Sequence, residues 1–312
     1  MAISTSVGST KKKSTQEKKF IRLGLLFAMP WMVGFILFQL YPILSSFFYS
    51  LTNYNFFKDP DFIGLKNYAE LFKDTKFYLS LKNTFYMVLV GVPVKLIYSL
   101  FMAMLLNKEV KGQSIYRTVY YMPSIVPIVA SSVLWLWILN PQYGILNNIL
   151  GALHLPQPAW TVDPRYTKVS LVIMDTWRSG GTILIYLAAL QGIPRSLYEA
   201  ADIDGANGWS KFWEITIPSI SPVTLFQLIM GLIGAFQYFT QAFIFSSGTQ
   251  LQVSGGPENS LLFYSLYLYQ NGFSFLKMGY ASAMAWILFI IIIIISTTIL
   301  KTSLKWVSYE NE

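Results

Sequence analysis

Long apolar runs alternate with shorter polar ones over most of the chain. Six of them approach the roughly 20 apolar residues that a ~30 Å hydrocarbon core requires: 23–43, 84–106, 119–139, 169–192, 219–245 and 279–300. Four carry no charge; the second contains Lys95, and the fourth contains Asp175 and Arg178. The pattern predicts an all-α integral membrane protein with six transmembrane helices in one membrane domain, 23–305. Residues 1–22 are rich in Ser, Thr and Lys. They hold too few apolar side chains to offset the entropy of ordering, so a disordered basic tail or a short surface helix is expected there. A second short tail, 306–312, follows the last run. Between the fifth and sixth runs, Gly255-Gly256-Pro257 precedes an aromatic stretch, 261–269, that is too short to span. That combination predicts a loop leading into a helix lying at the membrane surface. The first run is long and follows a polar stretch, so it is expected to stay in the membrane rather than act as a cleaved signal.

Lys and Arg resist translocation, and their distribution sets the orientation. With the N-terminus cytoplasmic, thirteen of the 23 fall inside and eight outside, while Lys95 and Arg178 lie within the spans. Both termini and their tails are therefore expected in the cytoplasm. Five of the eight outer cations share the loop 44–83 with Asp59, Asp61, Glu70 and Asp74, and a loop of that length is a weaker determinant.

Charge and composition then remove several function classes. The net charge of +8 gathers between apolar runs rather than on one face, so it reads as an orientation signal and not as a nucleic-acid surface. There is no cysteine and a single histidine, His154, which excludes a disulfide framework, a thiolate metal site and an imidazole cluster. His154 lies beside Leu155-Pro156 in an outer loop and reads as a solvated turn residue. No lysine follows a glycine, so the Gly-x4-Gly-Lys-Ser/Thr loop that cradles ATP phosphates is absent, and no cofactor is expected on this chain. Asp175 is the only acid in the six runs, which leaves no paired carboxylates for a membrane-embedded enzyme.

The most informative polar segment lies between the fourth and fifth runs. Ile193-Pro194-Arg195-Ser196-Leu197-Tyr198-Glu199-Ala200-Ala201 predicts a short helix that Gly205 stops, and Asn207-Gly208 supplies a second turn signal. From Trp209 a second short helix would place Trp209, Phe212 and Trp213 on one stripe until Pro218 begins the next span. A helix–turn–helix with small residues and exposed acids suits docking into a partner's groove. An interfacial hairpin that merely joins two spans is the other reading of the same residues.

This segment resembles the signature of permeases in binding-protein-dependent ABC importers. There Glu-Ala-Ala is followed after three residues by Gly, and after nine more by Ile-x-Leu-Pro; here Ile215 and Pro218 match and Ile217 replaces Leu. Tyr41-Pro42-Ile43, Phe62-Ile63-Gly64-Leu65-Lys66-Asn67-Tyr68, Leu190-Gln191-Gly192-Ile193-Pro194, Gly255-Gly256-Pro257 and Gly279-Tyr280-Ala281-Ser282-Ala283 resemble the carbohydrate-uptake branch, the relatives of maltose and glycerol-phosphate permeases. The resemblance implies the six-helix type I importer fold in a bacterial cytoplasmic membrane. It also implies a second homologous permease, two copies of a separate ATPase that holds ATP and Mg, and an extracellular or periplasmic solute-binding protein. The coupling element would comprise Glu199, Ala200, Ala201, Asp204, Gly205, Trp209 and Pro218. Sugar-facing positions in related permeases correspond to Trp177, Arg178 and Gly181, and to Gly231, Gly234, Ala235 and Tyr238, with Gln237 and Gln241 as further contributors.

The ionisable residues within the spans keep more than one role. Asp175 and Arg178, three apart on one helix face, either neutralise each other or line the pathway. Lys95 either pairs across the bundle, snorkels to the interface or borders a cavity. The expected cargo is a di- or oligosaccharide, with glycerol phosphate and its diesters as the alternative. An ion-coupled secondary transporter would have paired repeats and no docking loop.

Overall fold

The computed structural model describes residues 15–108, 111–247 and 255–308. Among the described residues there is no sheet, only isolated bridges between Thr52 and Phe62 and between Asn55 and Lys58. Helix α1 (Thr15–Phe35) passes through one π turn into α2 (Tyr41–Ser50), and α3 (Lys66–Leu71) lies in the following loop. Helix α4 (Thr75–Tyr86) passes through another π turn into α5 (Val92–Leu106). Then come α6 (Gln113–Ile125), α7 (Ile128–Ile138), α8 (Ile145–Ala152), α9 (Pro164–Trp177) and α10 (Gly180–Gln191). Helices α11 (Arg195–Ile203) and α12 (Gly208–Lys211) precede α13 (Ile217–Phe236) and α14 (Thr240–Ser247), and α15 (Tyr264–Tyr269) and α16 (Met278–Ser303) complete the order.

Three π turns have a common cause. They occupy Ile36–Leu40, Met87–Gly91 and Phe212–Thr216, and each is followed two residues later by a proline: Pro42, Pro93 and Pro218. A proline has no N–H, and its ring collides with the carbonyl four residues back. In each case that carbonyl, of Phe38, Leu89 or Glu214, lies inside the π turn, where the widened ladder makes room for the ring. The helices therefore continue through their prolines.

Among the described residues, four helices are long and apolar enough to cross a bilayer: Arg22–Ser50, Thr75–Leu106, Gly208–Ser247 and Met278–Ser303. A fifth span results if α6 and α7 are counted together, although they meet at 100°. Pro127 causes that bend, because the residue before a proline is driven out of helical conformation; Val126 is extended at φ −64°, ψ 130°. The apolar run 169–192 is divided as well, at Arg178 and Ser179, where ψ rises to 6° and 8°. The run 219–245 is also interrupted, at 237–239 between α13 and α14, so three of the six expected spans are not continuous helices. Helix α1 begins at Thr15, upstream of the boundary drawn at residue 22, while residues 1–14 and 309–312 lie outside the described ones.

The stretch 261–269, expected at the membrane surface, is instead among the most buried parts of the protein. Leu261, Leu262, Phe263, Tyr264 and Leu266 are essentially inaccessible and pack in the main apolar core with Phe77, Phe236, Phe245 and Met284. Irregular backbone buried this way needs partners for its polar groups. Asn83 supplies two, donating to the carbonyls of Asn259 at 2.9 Å and Leu262 at 3.1 Å, and Thr84 Oγ1 accepts from the N–H of Tyr264 at 2.9 Å. The Asn83 carbonyl oxygen in turn accepts from Lys168 at 3.0 Å. These polar residues belong to α4, which Asp74 caps by accepting from the N–H of Lys76.

A second apolar cluster, built from Met102, Ala103 and Leu106 of α5 with Ile183, Tyr186 and Leu187 of α10 and Ile220 of α13, lies beneath α11 and α12. The α1–α2 helix stands apart from both: Phe27, Trp31 and Phe38 are at least 71% exposed. It joins the body through α2 against α16, where the Phe47 and Trp286 rings meet at 5.1 Å. Gly279 permits the approach, since a Cβ there would lie 2.1 Å from the carbonyl oxygen of Thr52.

Asn83→Leu keeps the volume but strands two buried carbonyls, and should destabilise the protein by about 2–4 kcal/mol. Ser80→Ala, whose hydroxyl bonds only within its own helix, to Phe77, should remain near wild type. Thermal unfolding of the purified protein in detergent checks both.

Candidate functional site

Two regions gather the candidate residues. The first is the hairpin of α11 and α12. Helix α11 ends in a Schellman motif: the N–H of Ala206 bonds to the carbonyl of Ala201 and that of Gly205 to the carbonyl of Asp202. Gly205 takes φ +76°, a backbone region that disfavours any residue with a Cβ. Asn207 then caps α12, accepting from the N–H of Ser210 at 2.9 Å. Side chains brace the two arms: Lys211 pairs with Asp202, and the Tyr198 and Thr216 hydroxyls are 2.9 Å apart. The Trp209, Phe212 and Trp213 rings form one cluster with centroids 5.2–6.0 Å apart, as the stripe predicted.

This hairpin is ordered yet presents much of itself outward. Glu199, Ala200, Asp204 and Gly205 are exposed, Ala201 and Pro218 are partly so, and Trp209 is 71% accessible. Sequence reading missed Ile203, which is 87% exposed at the tip. An aliphatic residue closing a helix that carries Glu199, Asp202 and Asp204 was the available signal.

The second region is a cavity of about 410 Å³ between α5, α9 and α13. Gly231, Gly234, Ala235, Tyr238 and Gln241 line it, together with Gln237, Lys95 and Asp175. Gln241 donates to the Asp175 carboxylate at 3.4 Å. The Tyr238 hydroxyl lies beside the same carboxylate, is buried, and has no hydrogen-bond partner of regular geometry among the described residues. Gly231 has little room, as a Cβ would meet the Val92 side chain at 3.0 Å, whereas nothing lies within 4 Å of one at Gly234.

Trp177, Arg178 and Gly181 do not line this cavity, so the two expected sets of pathway residues are not brought together in one lining. The cause is the helix break at Arg178. Its guanidinium donates to the carbonyl of Val126 at 2.7 Å and to the Ser131 hydroxyl, and so closes the bend between α6 and α7. Gly180 allows the two breaks to touch, since a Cβ there would sit 2.6 Å from the carbonyl oxygen of Tyr120. No ion pair joins Arg178 to Asp175 among the described residues. Trp177 packs edge-on against Trp135 with centroids 5.8 Å apart and remains 37% exposed, and Gly181 faces open space.

A third, polar hollow of about 450 Å³ opens beside the start of α4 and α16 and includes Asn67, Glu70, Asp74, Tyr267 and Tyr280. Partial burial pushes the Asp74 carboxyl up. The Tyr267 and Tyr280 hydroxyls and the N–H groups of Lys76 and Phe77 outweigh that and hold it below the usual carboxylate range. His154 is exposed in the turn after α8. No cluster of His, Cys, Asp and Glu suited to a metal occurs among the described residues.

Comparison with known proteins gives the family and the fold. The family model described as binding-protein-dependent transport system inner membrane component matches residues 95–307. A probable ABC transporter permease of Bacillus subtilis, YesP, is 41% identical, covering 96% of each chain. The lactose transport system permease LacF of Rhizobium radiobacter is 35% identical over 92% of this chain and 96% of its own. In fold, the chain matches part of a bacterial alginate ABC transporter crystallised with an alginate pentasaccharide-bound periplasmic protein. The TM-score is 0.78 at 23% identity, over 90% of this chain and 94% of that one.

Arg178→Met should unpair the Val126 carbonyl and the Ser131 hydroxyl and cost about 2–4 kcal/mol. Tyr238→Phe removes a hydroxyl that makes no regular bond and should leave stability unchanged. Unfolding midpoints of the two variants in the same detergent test the contrast.

Proposed function

The chain belongs to the family of binding-protein-dependent transport system inner membrane components, and on that premise we propose that it is the membrane-spanning permease subunit of an ATP-driven sugar importer. The hairpin at 195–216 carries this reading: a linker between spans has no reason to combine a Schellman stop, a capped second helix, a cross-arm ion pair and an exposed face of acids and aromatics. Such a body suits a groove on an ATPase subunit, with Glu199, Ala200, Ala201, Asp204, Gly205 and Trp209 at the contact and Pro218 beginning the helix that receives the motion.

The rest of the assembly follows from the family. A second homologous permease completes the pathway, two ATPase subunits hold ATP and Mg, and a solute-binding protein delivers cargo from outside. The setting is a bacterial inner membrane with both termini in the cytoplasm. The cavity supplies the other half of the function. Gly231, Gly234 and Ala235 leave room on one wall, while Tyr238, Gln237 and Gln241 offer an aromatic face and hydrogen-bonding groups to a di- or oligosaccharide. Trp177, Arg178 and Gly181 bear on the pathway from beside the cavity, with Arg178 fixing the helix break.

ATP-dependent uptake of a sugar panel by vesicles holding this chain with its copurified permease, ATPase and binding protein tests the proposal. Uptake driven by an ion gradient without ATP would overturn it. Glu199→Lys and Gly205→Pro should each lower uptake about tenfold or more while the complex still assembles. Normal uptake in both would remove the coupling role from the hairpin. Tyr238→Ala should slow uptake or shift sugar preference without affecting assembly, read from concentration dependence.

A further inference from the structure

Lys95 sits in the middle of a membrane-spanning helix, between Val92 and Ser99 of α5, and lines the cavity. Its ammonium makes no ion pair or hydrogen bond among the described residues. An unpaired cation within a bilayer is costly, and where one is kept it marks a pathway or a ligand. An opposing charge is near it but not bonded to it. Asp175 is the one carboxylate in the lining, and it already has the Gln241 amide, the neighbouring Tyr238 hydroxyl and the field of both Lys95 and Arg178. Arg178 directs its guanidinium to Val126 and Ser131, away from the cavity. The lining thus holds one ammonium and one carboxylate, and it is the ammonium, without a bonded partner of its own, that is free to meet cargo.

We propose that the cavity takes an acidic saccharide and that Lys95 receives its carboxylate; this rests on the importer reading and names the class of its cargo. Beside Lys95 the Tyr238 ring lines the same space, its buried hydroxyl lying against Asp175. Asp175 and the two glutamines accept from sugar hydroxyls, and Met87, Gly91 and Gly231 provide apolar contact for C–H faces. The charge balance selects a carboxylate over a phosphate. A single ammonium matches one negative charge, whereas a phosphate monoester carries up to two and is held best by arginine forks or a nest of backbone N–H groups. No arginine lines the cavity.

The test uses the whole complex in vesicles at saturating concentrations of cargo-loaded binding protein, so that capture outside the membrane is held constant. Cargoes are a uronic-acid disaccharide, its methyl ester, a neutral disaccharide of the same size and a hexose phosphate. The wild type should turn over the uronate fastest. Lys95→Gln should slow the uronate about tenfold or more and slow the ester and the neutral sugar far less, while Lys95→Arg retains most uronate transport. Equal slowing of every cargo by Lys95→Gln would mean a structural role and overturn the proposal. ATP-driven uptake of neutral sugar with no preference for the uronate would overturn it while leaving the importer reading intact. Preference for the hexose phosphate would replace the carboxylate with another anion, and failure of every saccharide would sink both readings.

Discussion

The structure turns on the Arg178 guanidinium. Its helix ends there, and the helix pair opposite bends where Pro127 forces Val126 out of the ladder and frees its carbonyl. An arginine in hydrocarbon and an orphaned carbonyl are each costly alone, and together they satisfy one another. The contact locks α9–α10 against α6–α7, with Gly180 permitting the backbones to touch. That lock places Asp175, three residues earlier, at the cavity wall, and sets the direction in which α10 leaves toward the hairpin. Both candidate regions inherit their position from it.

The same helix serves both regions. Pro218 begins α13 next to the hairpin, and Gly231 lies thirteen residues further along at the cavity, about 20 Å away at 1.5 Å per residue. Between them Ile220 packs into the second apolar cluster with α5 and α10. A displacement of the hairpin is thus delivered to a rod whose far end is a cavity wall, and α5, which carries Lys95, is packed against that rod.

Local rules made part of this legible in the sequence. The hairpin was readable because Gly205 and Asn207 act on their own neighbourhoods, by a left-handed stop and a side-chain cap. Apolar runs located every long helix for the same reason. What the pattern hid depends on distant partners. Asn83 and Thr84 look like the polar edge of a span until the segment at 259–264, some 180 residues later, arrives to use them as hydrogen-bond partners. The aromatic stretch 261–269 looks interfacial for the same reason: its length excludes a crossing, and only those partners let its backbone be buried. By its type Arg178 reads as either a partner of Asp175 or a pathway residue, and the resemblance points to the pathway. Its acceptors lie on another helix, so the clamp could not be seen in one dimension.

The pairing of α2 with α16 bears on how the protein is made. Helix α2 is bonded locally to α3 through Asn67 and Tyr68, but its main helical neighbour, α16, lies more than two hundred residues later in the chain. Until α16 has been made, the α1–α2 helix has to reside in lipid with few protein contacts, and the absence of charge from 23–43 equips it to do so. The contact therefore forms only after a long stretch of intervening chain is in place, and Gly279, where a methyl group would strike the carbonyl of Thr52, keeps that late junction open to closure.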